Sequence, residues 1–83
     1  MNEIKQKLTL DRLAVYQIKV QGELDEHWSK WGEGINACVE KNDDGLPFTT
    51  LTCTFDQAAL SGFLRYIYSL GMPLVSVICV DFV

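Results

Sequence analysis

Between Asp56 and Pro73 the apolar residues fall at helical spacing, and this is the one sustained helical period in a chain of 83 residues. Leu60, Phe63, Leu64, Ile67 and Gly71 share one side of the segment, while Gln57, Ser61, Arg65 and Ser69 share the other, the pattern of a helix with one face on a core. Asp56 stands where an N-cap belongs, Gly71 where a left-handed C-cap belongs, and Pro73 blocks any continuation. The spacing predicts one helix, Gln57 to Leu70. Whatever else the chain builds must come from strands, and one helix has to serve the whole sheet.

The flanking segments repeat every two residues. From Ala14 to Leu24, Tyr16, Ile18, Val20 and Leu24 alternate with Gln17, Lys19, Gln21 and Glu23, a strand with one wet face. Gly22 interrupts the buried row and marks a bulge or a close backbone approach. Ile35 to Glu40 reads as a short second strand, and Lys41-Asn42-Asp43-Asp44-Gly45 as a hairpin turn, because Asn and Asp-Gly tolerate the positive φ of a tight turn. The returning strand, Phe48 to Phe55, sets Leu51, Cys53 and Phe55 inward and Thr50, Thr52 and Thr54 outward. The last segment, Leu74 to Val83, is apolar on both faces: Leu74, Ile78, Val80 and Phe82 are answered by Val75, Val77, Cys79 and Val83. Such a run suits a central strand, or an edge covered by another subunit.

The predicted architecture is an α+β domain, β-β-β-α-β, over residues 14–83, preceded by an arm over residues 1–13 that is mobile or forms a short extra helix. We expect an antiparallel meander, then a crossover helix leading to a fourth strand parallel to the third and beside the first. The strand order would be 3-2-1-4, with one helix on one face. A helix shadow is about 10 Å wide and strands lie about 4.8 Å apart, so roughly two of the four strands are covered. The N-terminal arm, Trp28 and Trp31, or a second copy of the chain must meet the rest. A core this small also gains from pairing, so a homodimer is expected, with Val77 and Val80 on its strand. Gly62 in mid-helix costs about 1 kcal/mol relative to alanine; it permits close approach either of the helix to its own sheet at Ala58 and Gly62 or, less readily, of another helix.

Charge and chemistry narrow the functions. The net charge is −4 and the seven basic residues are scattered, which argues against nucleic acid and anionic membranes as partners. Three widely spaced cysteines without a Cys-x-x-Cys pair, and a polar stretch from Met1 to Leu10, lead us to expect a cytoplasmic chain with reduced thiols. Cys53 lies on the predicted inner face and Cys79 in an apolar run, while Cys38 faces outward in this register with no histidine near it in sequence; all three read as small buried hydrophobes rather than nucleophiles. His27 is the sole histidine, and with Asp25 and Glu26 it does not supply a zinc set. Glu33, between two glycines beside Trp31, reads as a solvated loop acid. No catalytic residue, cofactor or metal is expected.

The segment Asp56-Gln57-Ala58-Ala59-Leu60, followed by Gly62, Leu64, Ile67, Leu70-Gly71, Pro73-Leu74 and Ser76-Val77, resembles the C-terminal half of a group of small bacterial proteins without an established activity. Those proteins also carry a Trp-x-x-Trp turn, as Trp28 and Trp31 do here, and a Leu-Thr strand like Leu51-Thr52. The resemblance runs from about Tyr16 to Val77 and implies a self-contained domain. The chain departs from that pattern at Gly32, at Cys53 and in its apolar tail from Ile78 to Val83, so a shared pocket or edge does not follow from it.

Three functions remain, of which the weakest, an acidic decoy or inhibitor of a basic protein, follows from the net charge alone, since the eleven acids are spread out rather than clustered. The first is a non-enzymatic, dimeric protein-interaction module that uses its sheet or last strand. The second is a small-molecule-binding domain or small enzyme whose pocket is walled by Trp28, Trp31 and Tyr68. Trp28, Trp31, Arg65 and Tyr68 are the candidate contacts for a ligand or partner. Trp28 and Trp31 have a plainer reading as a plug over the open end of the sheet.

Overall fold

A computed structural model describes residues 7–24 and 35–83. The elements follow in the order β1 (Ala14–Gln21), β2 (Asn36–Lys41), β3 (Pro47–Phe55), α1 (Gln57–Ser69) and β4 (Leu74–Phe82). The fold is α+β with one helix and a four-stranded sheet, each element within a few residues of its sequence-based bounds. His27, Trp28, Trp31, Gly32 and Glu33 lie outside the described residues.

The strand order differs from the expected one. It is β2-β3-β1-β4, not 3-2-1-4, because β1 pairs antiparallel with β3 rather than with β2. Only β2 and β3 form a hairpin, turning through Asn42 and through Gly45 at φ 83°. Two physical causes account for the exchange. The interior position falls to the strand with the continuous buried row, and Thr49, Leu51, Cys53 and Phe55 of β3 are all buried. β2, with Asn36, Glu40 and Lys41, is exposed along its length, as suits an edge. The chain leaving β1 is also tied to β3. The Thr49 hydroxyl donates to the Gly22 carbonyl at 2.8 Å and accepts from the Leu24 amide at 3.2 Å. The Gly22 amide donates to the Pro47 carbonyl at 2.9 Å. Gly22 therefore ends β1 at φ 102° instead of marking a bulge within it.

β4 pairs antiparallel with β1, as does β3. The third and fourth strands are thus parallel to each other, as expected, with β1 between them. The helix lies over one face. Leu60, Phe63 and Ile67 from α1 pack with Tyr16, Ile18 and Val20 from β1 and with the inward row of β3. The Phe63 ring lies 5.5 Å from that of Phe55. Asp56 caps the helix, its carboxylate accepting from the Ala59 amide at 2.8 Å. Gln57, placed outward by periodicity, instead donates through Nε2 to the Tyr16 hydroxyl at 2.7 Å. Ala58 is exposed, so it does not mark a close approach of helix to sheet. The described part of the arm runs beside the helix start, where the Leu10 carbonyl accepts from the Gln57 amide at 3.0 Å. Among the described residues, no helix is long and apolar enough to cross a membrane.

Candidate functional site: an open strand edge and the groove beside it

β4 is an edge strand, and among the described residues it has no neighbour beyond β1. Natural edges are usually short, charged or covered, because their unpaired amides and carbonyls invite another strand. β2 follows that rule with six residues carrying Glu40 and Lys41. β4 is less guarded: it has nine residues, one charge (Asp81, whose carboxylate accepts from the Phe82 amide at 2.8 Å), and Leu74, Val75, Val77, Ile78 and Val80 between 37% and 56% exposed, and its other protection is two register shifts against β1.

The two faces of β4 follow from its register on β1, since cross-strand partners share a face. Leu74, Val77, Cys79 and Phe82 oppose the inward residues Val20, Ile18, Tyr16 and Ala14, and so lie on the helix side. Ser76, Ile78 and Asp81 oppose Lys19, Gln17 and Val15 on the other side. Val75 and Val80 have no partner in the ladder, and the register shifts at each of them. They are two bulges, which break the simple alternation expected for this strand. Of the two positions singled out for a dimer strand, Val77 sits on the helix side and Val80 at the second bulge. Both are exposed.

An apolar groove of about 350 Å³ adjoins the start of this edge. Its shape comes from the way α1 ends. Gly71, at φ 75°, donates to the Tyr68 carbonyl at 2.9 Å, and the Met72 amide donates to the Ile67 carbonyl at 3.5 Å. These are the paired bonds of a Schellman C-cap, in which the residue after the glycine packs back on the last turn. Ile67 and Met72 line the groove together with Leu64, Tyr68, Pro73 and Leu74. The Tyr68 side chain stands 85% exposed at the rim. On the opposite face of the sheet lies a more polar depression, where the Lys19 ammonium sits 4.9 Å from the centre of the Phe48 ring.

The structure brings together Tyr68, Leu74 and, further along the same edge, Val77 and Val80. Arg65 is exposed on α1 and is not among the groove residues. Trp28 and Trp31 lie outside the described residues, so the pocket they were expected to wall with Tyr68 is not described. Sequence reasoning missed the groove. Its signal was the Leu64–Tyr68 pair, four apart at the flank of the helical stripe and followed by Gly71 and Pro73. The expectation of three buried cysteines holds only for Cys53; Cys38 and Cys79 are exposed, because one lies on the outer face of β2 and the other on the uncovered flank of β4. Burial pushes the Cys53 thiol up to about 11. Among the described residues, no three His, Cys, Asp or Glu side chains are grouped to hold a metal ion.

Residues 15–78 match the family described as a domain of unknown function, DUF8691. That match covers most of the chain, which belongs to this family. Nothing matches it among curated proteins or among solved structures.

Proposed function

We propose that this member of the family is a non-enzymatic interaction module that joins a second copy of itself through the open edge of β4. The contrast between the two sheet edges carries this reading: a short, charged β2 on one side and a long, apolar β4 on the other. The energetics agree with a stable pair. Full burial of an aliphatic side chain stabilises by about 1.5–3 kcal/mol. Leu74, Val75, Val77, Ile78, Val80 and Val83 are roughly half exposed, so covering them contributes on the order of 5–9 kcal/mol per protomer and twice that for the pair. Association costs about 4–15 kcal/mol. Free cysteines, two of them exposed, suit a reducing, cytoplasmic setting.

Sedimentation of the wild-type chain beside Val77→Asp tests the proposal. A dimeric wild type and a folded, monomeric variant support it, whereas a wild-type monomer at every concentration sinks it. The second reading, a small-molecule site, draws on the groove volume, which falls within the range of about 300–1,000 Å³ for ligand pockets. Native mass spectrometry separates the two. Twice the chain mass with nothing added supports the module, and a single chain carrying the mass of a small ligand supports the alternative.

A further inference from the structure

We propose that the depression on the outer face of the sheet binds a free amino acid with an apolar side chain. Lys19 and Lys41 hold its carboxylate, Asp43 its ammonium, and Phe48 and Val75 its side chain. This site stands apart from the pairing of β4 and does not rest on it.

The depression encloses about 460 Å³, within the range of about 300–1,000 Å³ for small-molecule pockets. All four strands reach it, and the ladder explains how. Phe48 of β3 opposes Gln21 of β1, and Pro47 of β3 opposes Lys41 of β2. Lys19 shares the outer face with Gln21, since it alternates with the buried Ile18 and Val20. The first register shift of β4 leaves Val75 as an extra residue between Leu74 and Ser76, and Val75 lines the fourth side. Because β3 lies between β2 and β1, the half-buried Phe48 is central. Lys41 and Asp43 stand to one side of it and Lys19 to the other.

The fold does not use these charges for itself. In the turn after β2, the Asn42 side-chain oxygen and the Asp44 carboxylate accept from the Leu46 amide at 3.0 and 3.3 Å. The Gly45 amide donates to the Asn42 carbonyl at 2.9 Å. Asp43 takes no part in these bonds, yet it lines the depression. The Lys19 ammonium is placed by Phe48, whose ring centre lies 4.9 Å away, inside the reach of about 6 Å for a cation–π contact. Among the described residues, neither lysine forms an ion pair with Asp43 or with another carboxylate.

The mixture of signs selects the ligand. A plain anion would meet Asp43 here, and also Glu40, which opposes Phe48 from β2. A plain cation would meet Lys19 and Lys41. A zwitterion satisfies both, and the apolar surface of Phe48, Pro47 and Val75 favours one with an apolar body.

Titration with L-phenylalanine, followed in amide NMR spectra of the whole chain, tests the site. The expected result is saturable shifts at Lys19, Gln21, Asn42 and Phe48, with a Kd of about 1 mM or below. Phenylpropionate, which lacks the ammonium, and phenethylamine, which lacks the carboxylate, should each bind about fivefold more weakly. Lys19→Gln and Asp43→Asn should each weaken L-phenylalanine binding by about fivefold with unchanged circular dichroism. Arg65→Gln, exposed on α1 and outside the depression, should leave it unchanged. Phenylpropionate binding as tightly as L-phenylalanine overturns the zwitterion in favour of a plain anion. Shifts confined to Met72 and Tyr68 move the ligand to the apolar groove and overturn the site. Spectra unchanged at about 10 mM L-phenylalanine overturn it as well. Sedimentation as monomer or dimer bears only on the pairing of β4, so the two proposals fail separately.

Discussion

The Thr49 hydroxyl, fully buried on β3, lies 2.8 Å from the carbonyl of Gly22 at the end of β1. It also accepts from the Leu24 amide at 3.2 Å, so one side chain serves two backbone groups of the segment that leaves the sheet. Thr49→Val keeps the shape and removes both bonds. Leaving the buried Leu24 amide unsatisfied costs about 1–3 kcal/mol, the part-buried Gly22 carbonyl less, and urea unfolding should show a loss of at least about 1–3 kcal/mol. A loss within error of zero would mean that water replaces the hydroxyl and that Thr49 does not hold the strand exchange in place.

Gly71 should tolerate substitution poorly. At φ 75° a residue with a Cβ pays about 1–2 kcal/mol, although no neighbour would touch that Cβ. Gly71→Ala should therefore lower stability by about that amount, and Gly71→Asn by less, because Asn visits this region more readily. Equal thermal midpoints for the two variants would contradict the backbone explanation.

Cys53 gives a pH dependence with a definite sign. Its folded-state pKa is raised by burial from the ordinary 9.0 to about 11, so the folded state holds its proton more tightly than the unfolded chain. The contribution is fully present below pH 9, is lost as pH rises between about 9 and 11, and levels off above that. Wild type should lose more stability than Cys53→Ala across this window, measured by chemical denaturation at each pH. In native protein at pH 8, thiol reagents should modify Cys38 and spare Cys53. Parallel pH profiles for wild type and Cys53→Ala would refute the assignment.

The two sheet edges should respond differently to charge. Val80→Asp places a carboxylate in the proposed interface, where an unpaired charge is strongly disfavoured, and should give a folded monomer. Val39→Asp on β2, equally exposed, should leave the assembly unchanged. Light scattering on the two variants decides the matter. Dissociation by Val39→Asp alone would move the interface to the other edge.

The elements were legible in the sequence because each had a local cause: the helical stripe with Asp56 and Gly71 at its ends, the Asp-Gly turn, the alternation in β1 and β3. The strand order was not. It depends on where the long connection after Gly22 carries the chain, and the Thr49 hydroxyl that anchors it gave no signal, since a single threonine at a strand start reads as one more β-branched residue. The open edge was half visible. The run from Leu74 to Val83 announced a strand apolar on both faces, but only pairing with β1 shows that it is an edge and that Val75 and Val80 are bulges. The groove depended on the fold of the C-cap, a long-range consequence of Gly71, Met72 and Pro73 packing back on Ile67.

The central claim is that the outer edge of β4 is paired in solution. Backbone amides of an edge strand alternate between its neighbour and the open side, so amide hydrogen exchange along β4, measured over a concentration series, reads the claim directly. The account predicts that the amides pointing away from β1 become protected as concentration rises, in step with the doubled mass. Exchange of those amides at the unprotected rate at every concentration, while the β1-facing ones stay slow, would contradict it.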